Sequence, residues 1–311
     1  MLFRSISIVT PTFNEEENVL DIYNEVKKVF MGLPEYTYEH IFIDNSSTDD
    51  TLKKLRGICN EDQNIKVIVN ICNFGFVRSP YYGILQGTGD AVIMIVADLQ
   101  DPPSLIFNFI KKWEEGYKIV IGTKNESKEN KFMFFLRNLF YNIIAKISDS
   151  EQIKNFTGFG LYDKSFIKIL KTIDEPYPYF RGLVAELGFD KIEVPYIQPK
   201  REKGETKFNF YKLYDFAMLG FVNYSRLPLR LSSFIGFVIS FFSVLVAFIY
   251  FIYKVMFWED FQVGIAPLVI GIFFFSGIQL FFLGVIGEYI GAIFTQVKRR
   301  PLVIEKERIN F

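Results

Sequence analysis

Two patterns of apolar residues divide the chain. Through its first two thirds, short apolar runs alternate with stretches in which apolar residues recur every three or four positions. Ser5 to Thr10 is a β-rich run, followed by Val19, Ile22, Tyr23, Val26, Val29 and Phe30 at helical spacing. His40 to Ile43 predicts a second strand, Leu52, Leu55 and Ile58 a second helix, and Ile65 to Val69 a third strand. A helix within Phe76 to Gln86, a strand over Ala91 to Val96, a helix over Ser104 to Trp113 and a strand over Lys118 to Ile121 continue the alternation. Such alternation predicts an α/β fold with a mainly parallel, doubly wound sheet. Ligands of these sheets bind beyond the carboxyl ends of the strands.

The last third is different. Ser232 to Tyr253 and Val263 to Gly287 carry no charged residue. Each exceeds the roughly 20 residues that cross a hydrocarbon core of about 30 Å. We read two spans, about 232–253 and 263–287, as a transmembrane hairpin whose short connection holds Trp258, Glu259 and Asp260. Arg226 and Arg230 precede the first span and Lys298, Arg299 and Arg300 follow the second, with only Lys254 between them. The positive-inside rule then puts both termini in the cytoplasm, in an inner (plasma) membrane protein. Gly277, Gly284, Gly287 and Gly291 fall near one helical stripe. That stripe suits helix packing, within the hairpin or between subunits of a homo-oligomer. Phe210, Leu213, Tyr214, Ala217 and Phe221 recur at helical spacing and predict an amphipathic helix, at the membrane interface or packed on the soluble domain. The expected division is a cytoplasmic domain over 1–206, an interfacial helix over 207–226 and a membrane domain over 227–311 ending in a cytoplasmic tail.

Composition narrows the partners. Lysine and arginine balance aspartate and glutamate, so bulk attraction to nucleic acid is not expected. The two cysteines, Cys59 and Cys72, make no metal-ligand spacing and fit a reducing, cytosol-facing compartment. Met1 to Ser5 runs straight into the first strand without a signal-peptide pattern, so a later segment is expected to direct membrane insertion.

Three polar loops follow the predicted strands: Pro11 to Asn18, Asp44 to Asp49, and Asp98 to Pro103. Ser47 and Thr48 are ordinary helix-capping residues, and Asp98 could cap the helix beyond Pro102 and Pro103. Three acidic loops on one sheet edge nevertheless point to a ligand site. There is no GxxxxGK[ST] phosphate loop, and Gly87-Thr88-Gly89 precedes a strand instead of following one. His40, the lone histidine, opens a core strand and is read as structural.

Those loops, Pro11-Thr12-Phe13-Asn14-Glu15-Glu16, Ile43 to Asp49 and Ala97-Asp98-Leu99-Gln100-Asp101-Pro102-Pro103, resemble family 2 glycosyltransferases. The likeness is narrower with the polyprenyl-phosphate group, which includes dolichyl-phosphate mannose synthases and undecaprenyl-phosphate glucosyltransferases. It continues through Asn73-Phe74-Gly75, Trp113 to Tyr117, Arg181-Gly182-Leu183, Arg201 to Lys207 and the two-span tail. The QxxRW motif of the processive branch is missing, which favours transfer of a single sugar. The resemblance implies a GT-A fold and inverting transfer of one hexose from a nucleotide sugar, such as UDP-glucose, to undecaprenyl phosphate. Pro11, Phe13, Asn14, Glu15, Asp44 and Asp98 would contact the donor, with Asp44 on the base. Asp98 and Gln100 would hold Mg²⁺ or Mn²⁺, which suits a hard cation that takes oxygen ligands. Asp98, Arg181 and Arg201 would carry the reaction, and Arg137, Arg181, Arg201 and Lys207 are candidates for the acceptor phosphate. Alternatives are a different nucleotide sugar, a non-lipid glycan acceptor, or a scaffold that has lost the chemistry.

Two departures motivate the last alternative. Val96 stands where the group usually has an acid, two residues before the metal-binding aspartate. Gly158 stands where a GDFRL-like segment supplies another, and Asp163 aligns elsewhere. A phosphate acceptor, with a second pKa of about 6, is already largely an oxyanion at pH 7 and needs little general-base help.

Overall fold

The computed structural model describes residues 4–126, 153, 155–199, 227–256 and 265–311. Arg137, Arg201, Lys207, the helix expected over 207–226 and the tip of the expected hairpin lie outside the described residues.

The first part of the chain alternates as its pattern predicts. In order come β1 (Arg4–Thr12), α1 (Val19–Met31), β2 (Tyr36–Asp44), α2 (Thr51–Glu61), β3 (Ile65–Asn70), α3 (Gly75–Gln86) and β4 (Ala91–Met94). A 3-10 turn at Pro103–Leu105 leads into α4 (Ile106–Glu114), followed by β5 (Ile119–Glu126). Then come β6 (Phe156–Asp163), α5 (Lys164–Leu170), α6 (Phe180–Glu186) and β7 (Lys191–Ile197). Two long helices, α7 (Leu227–Met256) and α8 (Ile265–Val297), precede β8 (Glu305–Ile309).

All eight strands form one sheet in the order β7-β5-β6-β4-β1-β2-β3-β8. The pairs β4–β1, β1–β2, β2–β3 and β5–β7 are parallel. β6 runs antiparallel to both neighbours, and β8 runs antiparallel to β3. This is the mainly parallel, doubly wound α/β sheet expected. The central strands are apolar on both faces because helices cover both. Ile6, Ile8, Phe42 and Val67 face α1, α2 and α4 through Val26, Leu55, Phe109 and Trp113. Val9, Ile41, Ile43 and Ile68 face α3, α5 and α6 through Tyr81, Ile84, Phe166 and Leu183. Gly83 lets α3 settle onto β1, since a Cβ there would stand 2.8 Å from Val9 Cγ1.

The expected C-terminal tail is a strand of this sheet. β8 covers the outer edge of β3, where Ile71 N–H donates to the Ile304 carbonyl at 3.0 Å. Arg56 forms a bidentate pair with Glu307, and the Asn310 amide donates to the carbonyls of Cys59 and Ile65. Arg308 binds Glu305, which also accepts from the Tyr82 hydroxyl. Pairing leaves β3 with no free edge and anchors the chain's end to the domain that opened it.

Between them, α7 and α8 lie in contact and expose apolar side chains, among them Phe237 and Leu280. Among the described residues one helix segment, Phe274–Val297, is long and apolar enough to cross a membrane. α8 continues ten residues beyond the end expected at Gly287, carrying Glu288 within it. At Gly277, Gly284, Gly287 and Gly291 a Cβ would meet nothing within 4 Å beyond its own chain neighbours and the helix's local backbone, among the described residues. They make no close packing inside the hairpin there.

His40 is core, as its place in the pattern suggests. It is fully buried, stacks on Phe42 with 4.0 Å between ring centroids, and hydrogen-bonds Thr10 Oγ1 through Nε2 at 2.9 Å. Burial lowers its pKa to about 3, so the folded chain holds it neutral while the unfolded chain protonates it below about 6.5. The unfolded state therefore binds the extra proton as pH falls from about 6.5 toward 3, and His40 costs up to roughly 1.4 kcal/mol of stability per pH unit in that window. Thermal denaturation from pH 7 to pH 5 should show the loss, and His40→Gln should flatten the slope. An identical slope in the variant would remove this assignment.

Candidate active site

The parallel pairing of β1 with both β2 and β4 puts the three acidic loops side by side at the carboxyl ends of those strands. The strand order reverses here, β2 and β3 lying on one side of β1 and β4 on the other, which opens a crevice at that edge.

The first two loops are stitched together. Asn45 N–H donates to the Thr12 carbonyl at 2.9 Å. Asn14, in the left-handed region at φ 53°, donates its N–H to Ser47 Oγ and accepts from Thr48 N–H through Oδ1 at 2.8 Å. Glu15 N–H donates to Thr51 Oγ1, Glu16 N–H to Asp49, and Asp50 N–H to the Glu16 carboxylate. Pro11 pairs with Ile43 one residue before the end of β1, and Phe13 follows the strand half-buried. Asp44 is fully buried: its carboxylate accepts from the Ser47 hydroxyl at 2.5 Å and the Ser47 N–H at 3.1 Å. Burial pushes its carboxyl above the ordinary range, against the pull of the Ser47 bonds. In this arrangement Asn14, Glu15 and Asp44 shape the loops, and Asp44 fixes the turn at Ser46, which has φ 64°.

The β2–β3 side of the crevice has a floor that periodicity did not reveal. Asn45 donates through Nδ2 to Asn73 Oδ1 at 2.9 Å and accepts through Oδ1 from Phe74 N–H. Asn70 donates to Asn45 Oδ1 and Ser79 Oγ, both at 3.1 Å. Each amide fixes the next, which holds the Asn73-Phe74-Gly75 turn against the end of β2.

The loop after β4 is the third wall. Asp98 accepts from Gln100 N–H through Oδ1 at 3.2 Å, with Leu99 at φ 57°. It caps no helix: Pro102 precedes the 3-10 turn and Leu105 precedes α4, neither start having a side-chain cap. Asp101 is buried and accepts a short hydrogen bond from the Tyr196 hydroxyl of β7. Burial pushes the Asp101 carboxyl above its ordinary range, against the pull of the Lys124 charge, the Tyr196 bond and the Arg181 charge. Of the expected residues, the structure thus brings Asp98, Gln100 and Arg181 to the β4 side and Pro11, Phe13, Asn14, Glu15 and Asp44 to the β1–β2 side. Lys124 and Tyr196 are additions that no motif marked.

A family model described as Glycosyl transferase family 2 matches residues 7–170, which span all three loops. The chain belongs to glycosyl transferase family 2. An uncharacterized glycosyltransferase of Synechocystis sp. is 35% identical over 300 residues, 96% of this chain and 94% of that one. The prophage bactoprenol glucosyl transferase homolog of Escherichia coli is 32% identical over 305 residues, 97% of this chain and 98% of that one. The bactoprenol glucosyl transferase of Shigella phage SfII is 32% identical and covers 97% of each chain. Among solved structures, mannosyltransferase PcManGT from Pyrobaculum calidifontis, in complex with GDP-Man and Mn²⁺, is 14% identical over 70% of this chain and 61% of that chain, with a TM-score of 0.48.

The departures have physical consequences in this glycosyltransferase. Val96 places an apolar, half-buried side chain at the mouth of the β4 loop. Gly158 lies in β6 at φ 104°, and its carbonyl accepts from the Tyr162 hydroxyl at 2.6 Å. Any L-residue there meets a strained backbone costing about 1–2 kcal/mol. Asp163 does not replace the lost acid: it caps α5 through Ser165 N–H and accepts from Trp113 Nε1 at 2.7 Å. Burial would raise its carboxyl, but the Ser165 and Trp113 bonds and nearby Lys118 outweigh it and hold the group below its usual range.

No group of three or more His, Cys, Asp or Glu side chains gathers among the described residues. The half-buried Asp98 and Gln100 offer one carboxylate and one amide oxygen on the open edge. That is a fitting partial set for Mg²⁺ or Mn²⁺, whose remaining positions are commonly filled by water and substrate phosphates. If Asp98 serves that set, Asp98→Ala should cut turnover by at least about a hundredfold in a chain that still folds, as its circular dichroism and a cooperative melt would show. Wild-type turnover in the variant would remove Asp98 from the reaction.

Proposed function

We propose that this glycosyltransferase moves one hexose, with inversion, from a UDP-sugar such as UDP-glucose to undecaprenyl phosphate at the cytoplasmic face of the membrane. The observation that carries the reading is the extent of the likeness to bactoprenol glucosyl transferases. It runs over 97% of the chain, through both the polar crevice and the apolar helices.

In this reading the bond that forms joins an acceptor phosphate oxygen to the anomeric carbon. The bond that breaks joins that carbon to the donor's β-phosphate oxygen, and the electron pair leaves with the nucleoside diphosphate. The asparagine floor and the β1–β2 loops would hold the nucleoside, and Asp98 with Gln100 would hold the cation. The cation, when bound, neutralises charge that builds on the departing diphosphate. Arg181 and, from outside the described residues, Arg137, Arg201 and Lys207 hold the acceptor phosphate, for which guanidinium groups are suited. The phosphate arrives as an oxyanion, so the absence of acids at Val96 and Gly158 is compatible with turnover.

The return of β8 to β3 supports a two-span membrane domain. The chain enters α7 after leaving the sheet and rejoins the same sheet after α8, so a crossing by α8 requires a second crossing before it. α7 has 30 residues, enough for that crossing. The basic residues on either side of the pair favour a cytoplasmic sheet. An externally labelled C-terminus in intact cells would contradict this arrangement.

The test of the reaction is nucleoside diphosphate release by the detergent-purified chain, over a panel of UDP- and GDP-sugars with and without undecaprenyl phosphate, in Mn²⁺ or Mg²⁺. Release should require one sugar nucleotide, the lipid phosphate and the cation together. Lipid-independent release would favour another acceptor. Failure to bind any sugar nucleotide would favour the inactive scaffold suggested by Val96 and Gly158.

A further inference from the structure

The C-terminal end of α8 stands beside the loop that joins α5 to α6, and a cavity of about 580 Å³ lies between them. That volume is in the range of small-ligand sites. Tyr289, Ala292 and Gln296, half-buried on one face of α8, form its helical wall. Ile293 and Val297 extend that wall with exposed apolar surface. Asp174 lines the cavity from the loop, and Arg299 lines it from the turn beyond the helix.

The backbone holds both charged groups in place. Ile173, beside Asp174, packs against the core and donates its N–H to the Leu170 carbonyl at 3.1 Å. Arg299 has φ 43°, a left-handed turn that stops α8, and Arg78 donates to the Pro301 carbonyl just beyond it. Asp174 and Arg299 form no ion pair among the described residues, although they line one cavity. Lys298 is engaged elsewhere, with its ammonium 4.1 Å from the ring centroid of the exposed Phe294. The cavity therefore carries one acid and one base, both side chains exposed. Its depth in the bilayer follows from α8. Tyr289 lies two residues past the span end expected at Gly287, and tyrosine favours the membrane–water boundary. The cavity thus begins near the edge of the hydrocarbon and opens through the headgroup layer.

We propose that this cavity binds the headgroup of one phospholipid that carries a phosphate and a primary ammonium, the phosphate on Arg299 and the ammonium on Asp174. Its acyl chains would run along Ile293 and Val297 into the bilayer. Charge complementarity selects this occupant. A purely anionic headgroup would leave Asp174 facing negative charge, and a trimethylated ammonium has no N–H to give the carboxylate. The inference rests on the membrane arrangement proposed above, and not on the sugar or its acceptor. A lipid bound there bridges α8 to the loop that leads into α6 and Arg181.

The test is native mass spectrometry of the full chain purified in detergent. It is offered phosphatidylethanolamine, phosphatidylcholine and phosphatidylglycerol with identical acyl chains. Wild type should retain one phosphatidylethanolamine per chain, with an affinity about tenfold above that for either other lipid. Asp174→Asn should erase the preference over phosphatidylglycerol, and Arg299→Gln should weaken phosphatidylethanolamine binding by on the order of tenfold. Circular dichroism checks the fold of each variant, and the wild-type preference decides the matter if a variant fails to fold. Equal retention of the three lipids, or retention of none by a chain that needs detergent, overturns this inference alone. So does a lipid preference unchanged in both variants, the result expected if Asp174 and Arg299 serve only each other. A wild-type chain that stays soluble without detergent overturns the proposed membrane arrangement and this inference with it.

Discussion

The parallel pairing of β1 between β2 and β4 is the constraint on which the site depends. Parallel neighbours end at the same edge of a sheet, so the loops that follow them must meet there. The β1 and β2 loops then share hydrogen bonds through Asn14, Ser47, Thr48 and Thr51, and the Asp98 loop closes the other side. Acidic and amide side chains that mean little singly become one crevice. The same pairing requires apolar residues on both faces of β1, which α1 and α3 cover from opposite sides.

A second constraint acts at the sheet's margin. β3 would be an open edge without β8, and the strand that covers it arrives from beyond the long apolar helices. The α7–α8 pair is therefore attached through the chain on both sides of its insertion, and its far end is pinned close to the Asn73-Phe74-Gly75 turn. Arg78, which follows that turn in α3, donates to the Pro301 carbonyl and stacks on Phe74 at 5.1 Å. In the proposed reaction this keeps the nucleoside side of the crevice near the lipid that receives the sugar.

Much of this was legible in the residues. Strands β1 to β5 and helices α1 to α4 follow apolar periods, and their boundaries shift by only a few residues. The later elements carry weaker signals. β6 contains Gly158 and Gly160, α5 and α6 have seven residues each, and β7 alternates on a surface that is largely half-exposed. β8 is Glu-Lys-Glu-Arg-Ile, a strand made by its pairing with β3 and by side-chain ion pairs, not by an apolar period. The site divides in the same way. Asp44 ends a strand that periodicity can place, and Asp98 and Gln100 sit in the loop after another. Tyr196 reaches Asp101 from β7, where it pairs with Lys124 of β5, a contact between distant segments that no local spacing encodes. The asparagine floor escaped for the same reason, although Asn73 was visible in its motif.

The account's central claim is that sugar passes to a lipid phosphate, and the identity of the product tests it most directly. Membrane vesicles containing the full chain, undecaprenyl phosphate and the sugar nucleotide that supports release, labelled in its sugar, would be extracted with organic solvent after turnover. The account predicts label in the lipid phase as a sugar monophosphate ester released by mild acid, and none without the chain. Label retained in a water-soluble glycan, with the lipid phase empty, would contradict it.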